Sequence, residues 1–375
     1  VNSVRITRNV ALAFKARCCL YEGTFRKYHA NDPSTGKPWT ADESEMYLRA
    51  CADACETLMG EGKYALVSDP AKVATQYRSL FTSESVASGE VIWARAYDAS
   101  LNATHILNTY FVNMQYGSYS LTRQFVNTYL NRDGSRFTDK AGYEKTLFAD
   151  EFENRDYRLM QSIRYPGYTR RNNNVNTPYA PDFGYCVTGY QPIKFVAPAD
   201  FGSDGYNLSY TDLPIIRTAE IYLNYAEAKA ELGTLTQDDI DLTIKKLRDR
   251  VGMPNLDMAQ ANANPDPYLS APETGYPNVT GPNKGVLLEI RRERTIELLQ
   301  EGHRYYDLIR WKEGKAFTQP LLGIYIPSKG EYDLDGDGTP DIYLKTKGES
   351  PSTKAPLIMA VSYTHLRAHE TELHL

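Results

Sequence analysis

The 375-residue chain is short of cysteine, and the five it has form no recognisable chemical arrangement. Cys18, Cys19, Cys51, Cys55 and Cys186 include no CxxC pair and no Cys/His spacing that would hold zinc. They read as small apolar fillers. Cys51 and Cys55 stand four apart beside Ala52 and Ala54, a helical spacing that favours packing over a disulfide. No run of about 20 apolar residues is present, which excludes a helix that spans a bilayer by hydropathy. A charged-then-apolar leader is missing too, yet Val1 is not an initiator Met and a helical pattern follows almost at once. The sequence is therefore expected to begin inside a longer protein. There is no block of Lys or Arg, and the net charge is -5, which argues against electrostatically driven binding to nucleic acid or to a membrane surface. Trp and Phe are sparse at 3 and 12, whereas Tyr reaches 29. Rings that pack on one side and hydrogen-bond on the other suit polar, neutral ligands.

Helical periodicity is concentrated near the two ends. In RNVALAFKARCCLYEGTF, Val10, Phe14, Arg17 and Tyr21 share a face, and ADESEMYLRACADACETLMG follows after a Pro/Gly loop to complete a hairpin that Gly60 and Gly62 end. Residues 1–85 form this N-terminal part. Residues 211–315 carry LPIIRTAEIYLNYAEAKAELG, QDDIDLTIKKLRDRVGM, GVLLEIRRERTIELLQEG and HRYYDLIRWKEGK, in which small Ala residues among large apolar ones allow close helix approach. Between them, residues 86–210 are rich in Tyr, Asn, Gly and Pro and read as long ordered loops with short strands. Residues 316–361 read as a further loop region. The expected class is mostly α, with tetratricopeptide-like hairpins carrying long irregular loops and short strands, although no strict 34-residue period is visible.

Several of these segments together resemble one family. LPIIRTAEIYLNYAEAKAELG (213–233) and LLEIRRERTIELLQEGHRYYDLIRW (287–311) resemble the two signature helices of the SusD/RagB family of Bacteroidetes outer-membrane glycan-binding lipoproteins. ALAFKARCCLYEGTF, FVNTYLNRDGSRF, ENRDYRLMQSIRYPG and TGYQPIKF resemble its earlier segments, so that the likeness covers about residues 1–360. It implies one intertwined fold over 1–361 and non-catalytic capture of a glycan. It also implies a lipid anchor at the cell surface and docking onto a TonB-dependent (SusC-like) transporter. The family's lipidated Cys, first helices and C-terminal closing segment are not found in this sequence.

ERTIELLQEGHRYYDLIRW (293–311) invites a catalytic reading, because Glu293, Glu297 and Glu301 fall at four-residue spacing with His303 and Asp307 close behind. The resemblance makes it architectural, and the residues agree. Ile296, Leu299, Tyr305, Leu308 and Trp311 supply an apolar face, and Arg291, Arg294 and Arg304 are available to pair with Glu297, Glu301 and Asp307. Paired acids make poor proton donors at neutral pH. A glycoside hydrolase with two carboxylates therefore has no specific pair behind it, and a helical scaffold that binds protein only remains the other alternative.

DLDGDGTPD (333–341) offers Asp333, Asp335, Asp337 and Asp341 at the spacing of a calcium loop. Leu344 stands where an EF-hand has its bidentate Glu, so a metal-free Asp/Gly turn competes with calcium binding; no cofactor is otherwise required. For a sugar, aromatic faces beside amide and guanidinium donors are the expected contacts. Trp39, in NDPSTGKPWTAD, and Tyr165, Tyr168, Arg170, Asn172, Asn174, Tyr179 and Tyr185, in the central loops, are the candidates, set against ordinary loop packing; Trp93 and Trp311 read as internal. The tail 362–375 holds His365, His369 and His374, but SYTHLRAHET resembles a translated sequencing-adapter artefact, so it is read as non-native rather than as a metal site.

Overall fold

The computed structural model describes residues 3–86, 89–113, 116–172 and 174–361. The tail lies outside the described residues, and so does the side chain of Asn172. Helices dominate. α1 (Arg8–Tyr28) and α2 (Ala41–Gly60) form an antiparallel hairpin whose shared face is built from Val10, Ala13, Ala16, Leu20, Leu48, Cys51, Cys55 and Leu58. Small side chains set the distance. A Cβ on Gly23 would come within 2.7 Å of Leu48, and Ser44 Oγ donates to Gly23 O at 2.7 Å, so the helices touch backbone to side chain there. Phe14 lies outside this face and is 53% exposed, because the helix turns its Ala and Leu positions inward instead.

α2 packs on α3 (Thr218–Glu231), which in turn packs on α4 (Lys284–Glu297). Ala219, Ala226 and Ala230 interleave there with Leu223, Leu287 and Leu288. Gly285 lets α4 approach the short helix Met258–Ala263, where a Cβ would meet Ala261 O at 1.8 Å. A short α5 (Arg304–Arg310) follows, and Trp311 is fully buried behind it. The protein is mostly α, with tetratricopeptide-like hairpins carrying loops and short strands, as its periodicity leads one to expect.

The strands are short. β1 (Val91–Arg95) pairs antiparallel with β4 (Leu213–Arg217), opposing Val91 to Arg217. That register brings Glu90 and Arg217 together at the end of α4. β2 (Thr169–Asn172) and β3 (Val175–Pro178) form a hairpin, and β5 (Gly330–Tyr332), β6 (Ile342–Thr346) and β7 (Leu357–Val361) form a small sheet. Ile163, Tyr190 and Leu159 from the central region share a core with Ile342 and Leu344 of that sheet. No helix among the described residues is long and apolar enough to cross a membrane.

Candidate functional site

The acids of the signature helices are spoken for. Glu297 accepts from Arg217 Nη1 at 2.7 Å and Arg158 Nη1 at 3.2 Å, and also from Arg250. Glu301 accepts from Lys194 Nζ and from Arg217 Nε and Nη2, each at 2.7 Å. Asp307 accepts from Arg294 Nε at 2.8 Å and Arg310 Nε at 2.9 Å. Burial alone would raise these carboxyls, but the guanidinium charges outweigh it: Glu297 and Asp307 lie well below the usual carboxylate range and Glu301 at about 2. None is available as an acid at neutral pH. The expected pairing within the helix needs correction except for Arg294 with Asp307. The partners of Glu297 and Glu301 come from other elements, Arg291 stacks among Trp311, Tyr28 and Tyr276, and Arg304 bonds to Tyr276 and Thr295. Tyr305 is exposed rather than part of the apolar face.

The expected sugar contacts separate into two kinds. Tyr168 and Arg170 are not surface contacts: they are 2% and 4% exposed, the Tyr168 hydroxyl accepts from Arg78 at 3.3 Å, and Arg170 clamps Asp204 through two bonds of 2.8 and 2.7 Å. Tyr165 is half-buried against Phe152 and Tyr168. Tyr179 and Tyr185 are half-buried, and the guanidiniums of Arg164 and Arg170 lie over the Tyr179 ring. Asn174 is exposed in the left-handed turn between β2 and β3 (φ 64°) and accepts from Arg171 at 2.6 Å. Asn172 sits in β2. Trp39 is on the α1–α2 loop, half-buried, with Arg26 4.2 Å above its ring and its indole N–H buried without a partner.

A second set of aromatics was not singled out from sequence. Tyr116 and Tyr206 are 49% and 68% exposed and face each other with ring centroids 6.0 Å apart at 52°. Tyr119, 44% exposed, packs beside Tyr110 and Phe111. The Tyr206 loop is fixed from below, since Asp204 takes Arg170 and Asn108 as donors and Thr109 Oγ1 donates to Gly205 O at 2.6 Å. The buried Arg170 therefore holds the loop that carries Tyr206. The signal was present in QYGSYS and SDGYN, where tyrosines are flanked by Gly, Ser and Asn as in loops that expose rings.

In the acidic loop, Asp333, Asp335 and Asp341 each bring a carboxylate oxygen within 4.8 Å of the others. Asp337 stays outside that group and accepts from Thr339 N at 2.7 Å. Burial first and the neighbouring carboxylates next raise Asp335 and Asp341 above the ordinary aspartate value. Hard oxygen donors that repel one another fit a calcium ion, which Asp333, Asp335 and Asp341 would hold and whose charge would offset that repulsion. Leu344, at the position of the missing bidentate ligand, is buried in β6. The loop also touches the central region, because Gly167 N donates to Asp335 O at 2.5 Å.

Comparison with known proteins follows the same lines. A SusD-like protein from Bacteroides fragilis is 22% identical with a TM-score of 0.57, over 84% of this chain and 56% of its own. A SusD-like carbohydrate-binding protein from the same organism is also 22% identical, with a TM-score of 0.60, over 86% of this chain and 56% of its own. These likenesses establish the fold, and the chain spans little more than half the length of either relative. No curated relative matches it. The SusD family profile matches residues 89–362, well over half of the sequence, and the chain belongs to that family.

Proposed function

We propose that this protein binds a neutral oligosaccharide without cleaving it, as a surface lipoprotein of the outer membrane, and delivers it to a TonB-dependent transporter. The exposed Tyr116–Tyr206 pair carries the reading. Two rings set at an angle, Tyr206 on a braced loop and Tyr116 on the loop that faces it, offer apolar faces to the C–H side of a pyranose. Asn174, Arg171 and the β2–β3 hairpin flank that loop through the Arg170–Asp204 clamp and an Arg171–Asp200 contact of 3.4 Å. Tyr179, beneath Arg170, is held as an outer contact, and Trp39 and Tyr185 remain separate candidates. Family membership and a relative described as carbohydrate-binding support the same direction. Hydrolysis is disfavoured by the signature acids, each bonded to cationic side chains and held below the carboxylate range.

Titration calorimetry against a panel of neutral and acidic glycans tests this. Tyr116→Ala/Tyr206→Ala is expected to weaken binding by about 1 kcal/mol per ring, or roughly tenfold to thirtyfold together. Trp39→Ala should have a smaller effect, since Arg26 already covers one of its faces. Binding that is indifferent to the tyrosine pair removes the placement. A protein that captures its transporter but no glycan is a scaffold instead.

A further inference from the structure

Tyr116 and Tyr206 belong to different segments, and one joint fastens those segments together. Residues 105–109 lead through a short helix (Leu107–Val112) to Tyr116, whose N–H donates to Asn113 O at 3.3 Å. Both ends of the Tyr206 loop are tied to the same stretch. Before the ring, Asn108 Nδ2 donates to Ser203 O and to Asp204 Oδ1, each at 2.9 Å, and Thr109 Oγ1 donates to Gly205 O at 2.6 Å. After it, His105 and Ser209 exchange backbone bonds of 2.7 and 2.9 Å, and Ser209 Oγ accepts from Asn108 N at 3.1 Å. The placement of one ring against the other is therefore governed at this joint.

Of the residues in the joint, His105 is the one whose charge changes near neutral pH. Its two ring nitrogens have different partners. Nε2 lies 2.9 Å from Thr211 O, which can only accept, so Nε2 carries the hydrogen; Nδ1 accepts from Leu107 N at 3.2 Å, so it is bare. The joint thus holds the neutral ring in a single tautomer. A proton on Nδ1 would set one N–H against another and break the Leu107 bond where the short helix begins. The groups around the ring are Tyr97, Arg95 and Asp212. Tyr97 packs on it with centroids 4.4 Å apart, the Arg95 guanidinium stands 5.3 Å from the centre of the Tyr97 ring, and Asp212 accepts from Tyr97 N at 2.7 Å and Val86 N at 3.3 Å. Burial is the largest influence and pushes the imidazole below the ordinary histidine value; Thr211 O draws it back, while Arg95 and Asp212 oppose each other.

We propose that His105 is a proton-operated latch on the aromatic pair: neutral, it closes the joint between the Tyr116 segment and the Tyr206 loop, and protonated at Nδ1 it opens the joint and weakens ligand binding. The sign follows from linkage. An open joint takes up a proton more readily than the closed one, so closure is complete above the ordinary histidine value of about 6.5 and is lost as the pH falls below it. A ligand that needs both rings favours the closed joint and in turn holds the proton off His105. The effect on binding rests on the Tyr116–Tyr206 reading of the preceding section, whereas the coupling of His105 to the two rings does not.

The test has two parts. In ligand-free protein with labelled histidine and tyrosine, NMR titration from about pH 8 to about pH 5 should show a neutral Nε2–H ring at His105 that titrates below the ordinary value, and the Tyr116 and Tyr206 ring signals should move with the same midpoint. In His105→Asn, whose side-chain carbonyl is able to accept from Leu107 N but does not titrate, those signals should stay fixed. Calorimetry with a glycan that binds at neutral pH should then show affinity falling about threefold to tenfold on acidification, the worth of one hydrogen bond, and His105→Asn should remove that dependence. His105→Gln, which offers an amide donor to Thr211 instead, is the second non-titrating variant, and melting curves confirm that each is folded. Ring signals indifferent to the His105 titration, or a pH dependence that persists in the non-titrating variants, would overturn the latch. If the ring signals follow His105 but no glycan binds, the latch stands and the glycan reading of the tyrosine pair fails.

Discussion

Glu297, Glu301 and Asp307 in the helical scaffold and Asp335 and Asp341 in the loop near the C-terminal sheet are acids held close to other charges, yet their pKa values move in opposite directions. The helical acids face guanidinium or ammonium groups and are pulled down. The loop acids face one another and are pushed up. Burial opposes ionisation in both places, so the sign is decided by the neighbours. Regular acid spacing on a helix does not by itself mark a working site.

The sharpest way to break this contrast is Glu297→Gln. It leaves Arg158, Arg217 and Arg250 crowded together with only their remaining acids, and breaking a buried ion pair by removing one partner costs about 3–5 kcal/mol. Urea denaturation should show a loss of that order, while any glycan affinity of the folded fraction stays within about twofold of wild type. Unchanged stability with lost binding would return the helix to candidacy as a functional site.

Acidification gives the second test. Glu301 has a folded pKa of about 2 against an ordinary 4.5, so its stabilising contribution is complete above about pH 4.5 and is lost as pH falls toward 2. Melting temperature should fall through that window, and Glu301→Gln should flatten the fall. The loop acids act with the other sign. Their raised folded values mean that, without metal, their contribution falls away as pH rises from the ordinary aspartate value through the raised one. A wild type and a Glu301→Gln variant with parallel acid profiles would contradict the assignment.

How much of this was legible follows from range in sequence. The α1–α2 hairpin was readable because Ala and Cys at helical spacing are a local signal. The structural role of the acidic helix was readable because arginines stand beside it. Its true partners were not, since Arg250 and Arg158 lie 47 and 139 residues from Glu297. Tyr168 and Arg170 look the same as Tyr116 and Tyr206 in sequence, as polar aromatics and cations in Gly- and Asn-rich loops. Only the tertiary packing of Tyr168 against Arg78 and the Arg170–Asp204 clamp sends one pair inside and leaves the other at the surface. Asp337 stands apart from the other three for a related reason: alternation in DLDGDG sets the spacing, but the turns at Gly336 and Gly338 (φ 79° and 86°) decide which carboxylates converge.

That last difference supplies the smallest and most discriminating prediction. We propose calcium as the ion for the loop. Asp333 is oriented by Gly336 N at 2.6 Å and Gly338 N at 2.8 Å, and Asp341 by Leu334 N at 2.6 Å, so these carboxylates are positioned before any ion arrives. Calcium should raise the melting temperature of the wild type in scanning calorimetry and chelator should reverse it. With three carboxylates and no bidentate Glu, the affinity should be that of the weaker loops, about 10⁻⁴–10⁻³ M. Asp335→Asn removes a charge from the centre of the cluster, so it should relieve repulsion in the metal-free protein and abolish the calcium response. Asp337→Asn should leave the response nearly intact, because that side chain caps Thr339 and does not join the other three. Equal losses in the two variants would place Asp337 among the ligands after all, and a wild type indifferent to calcium would leave the loop as an Asp/Gly turn.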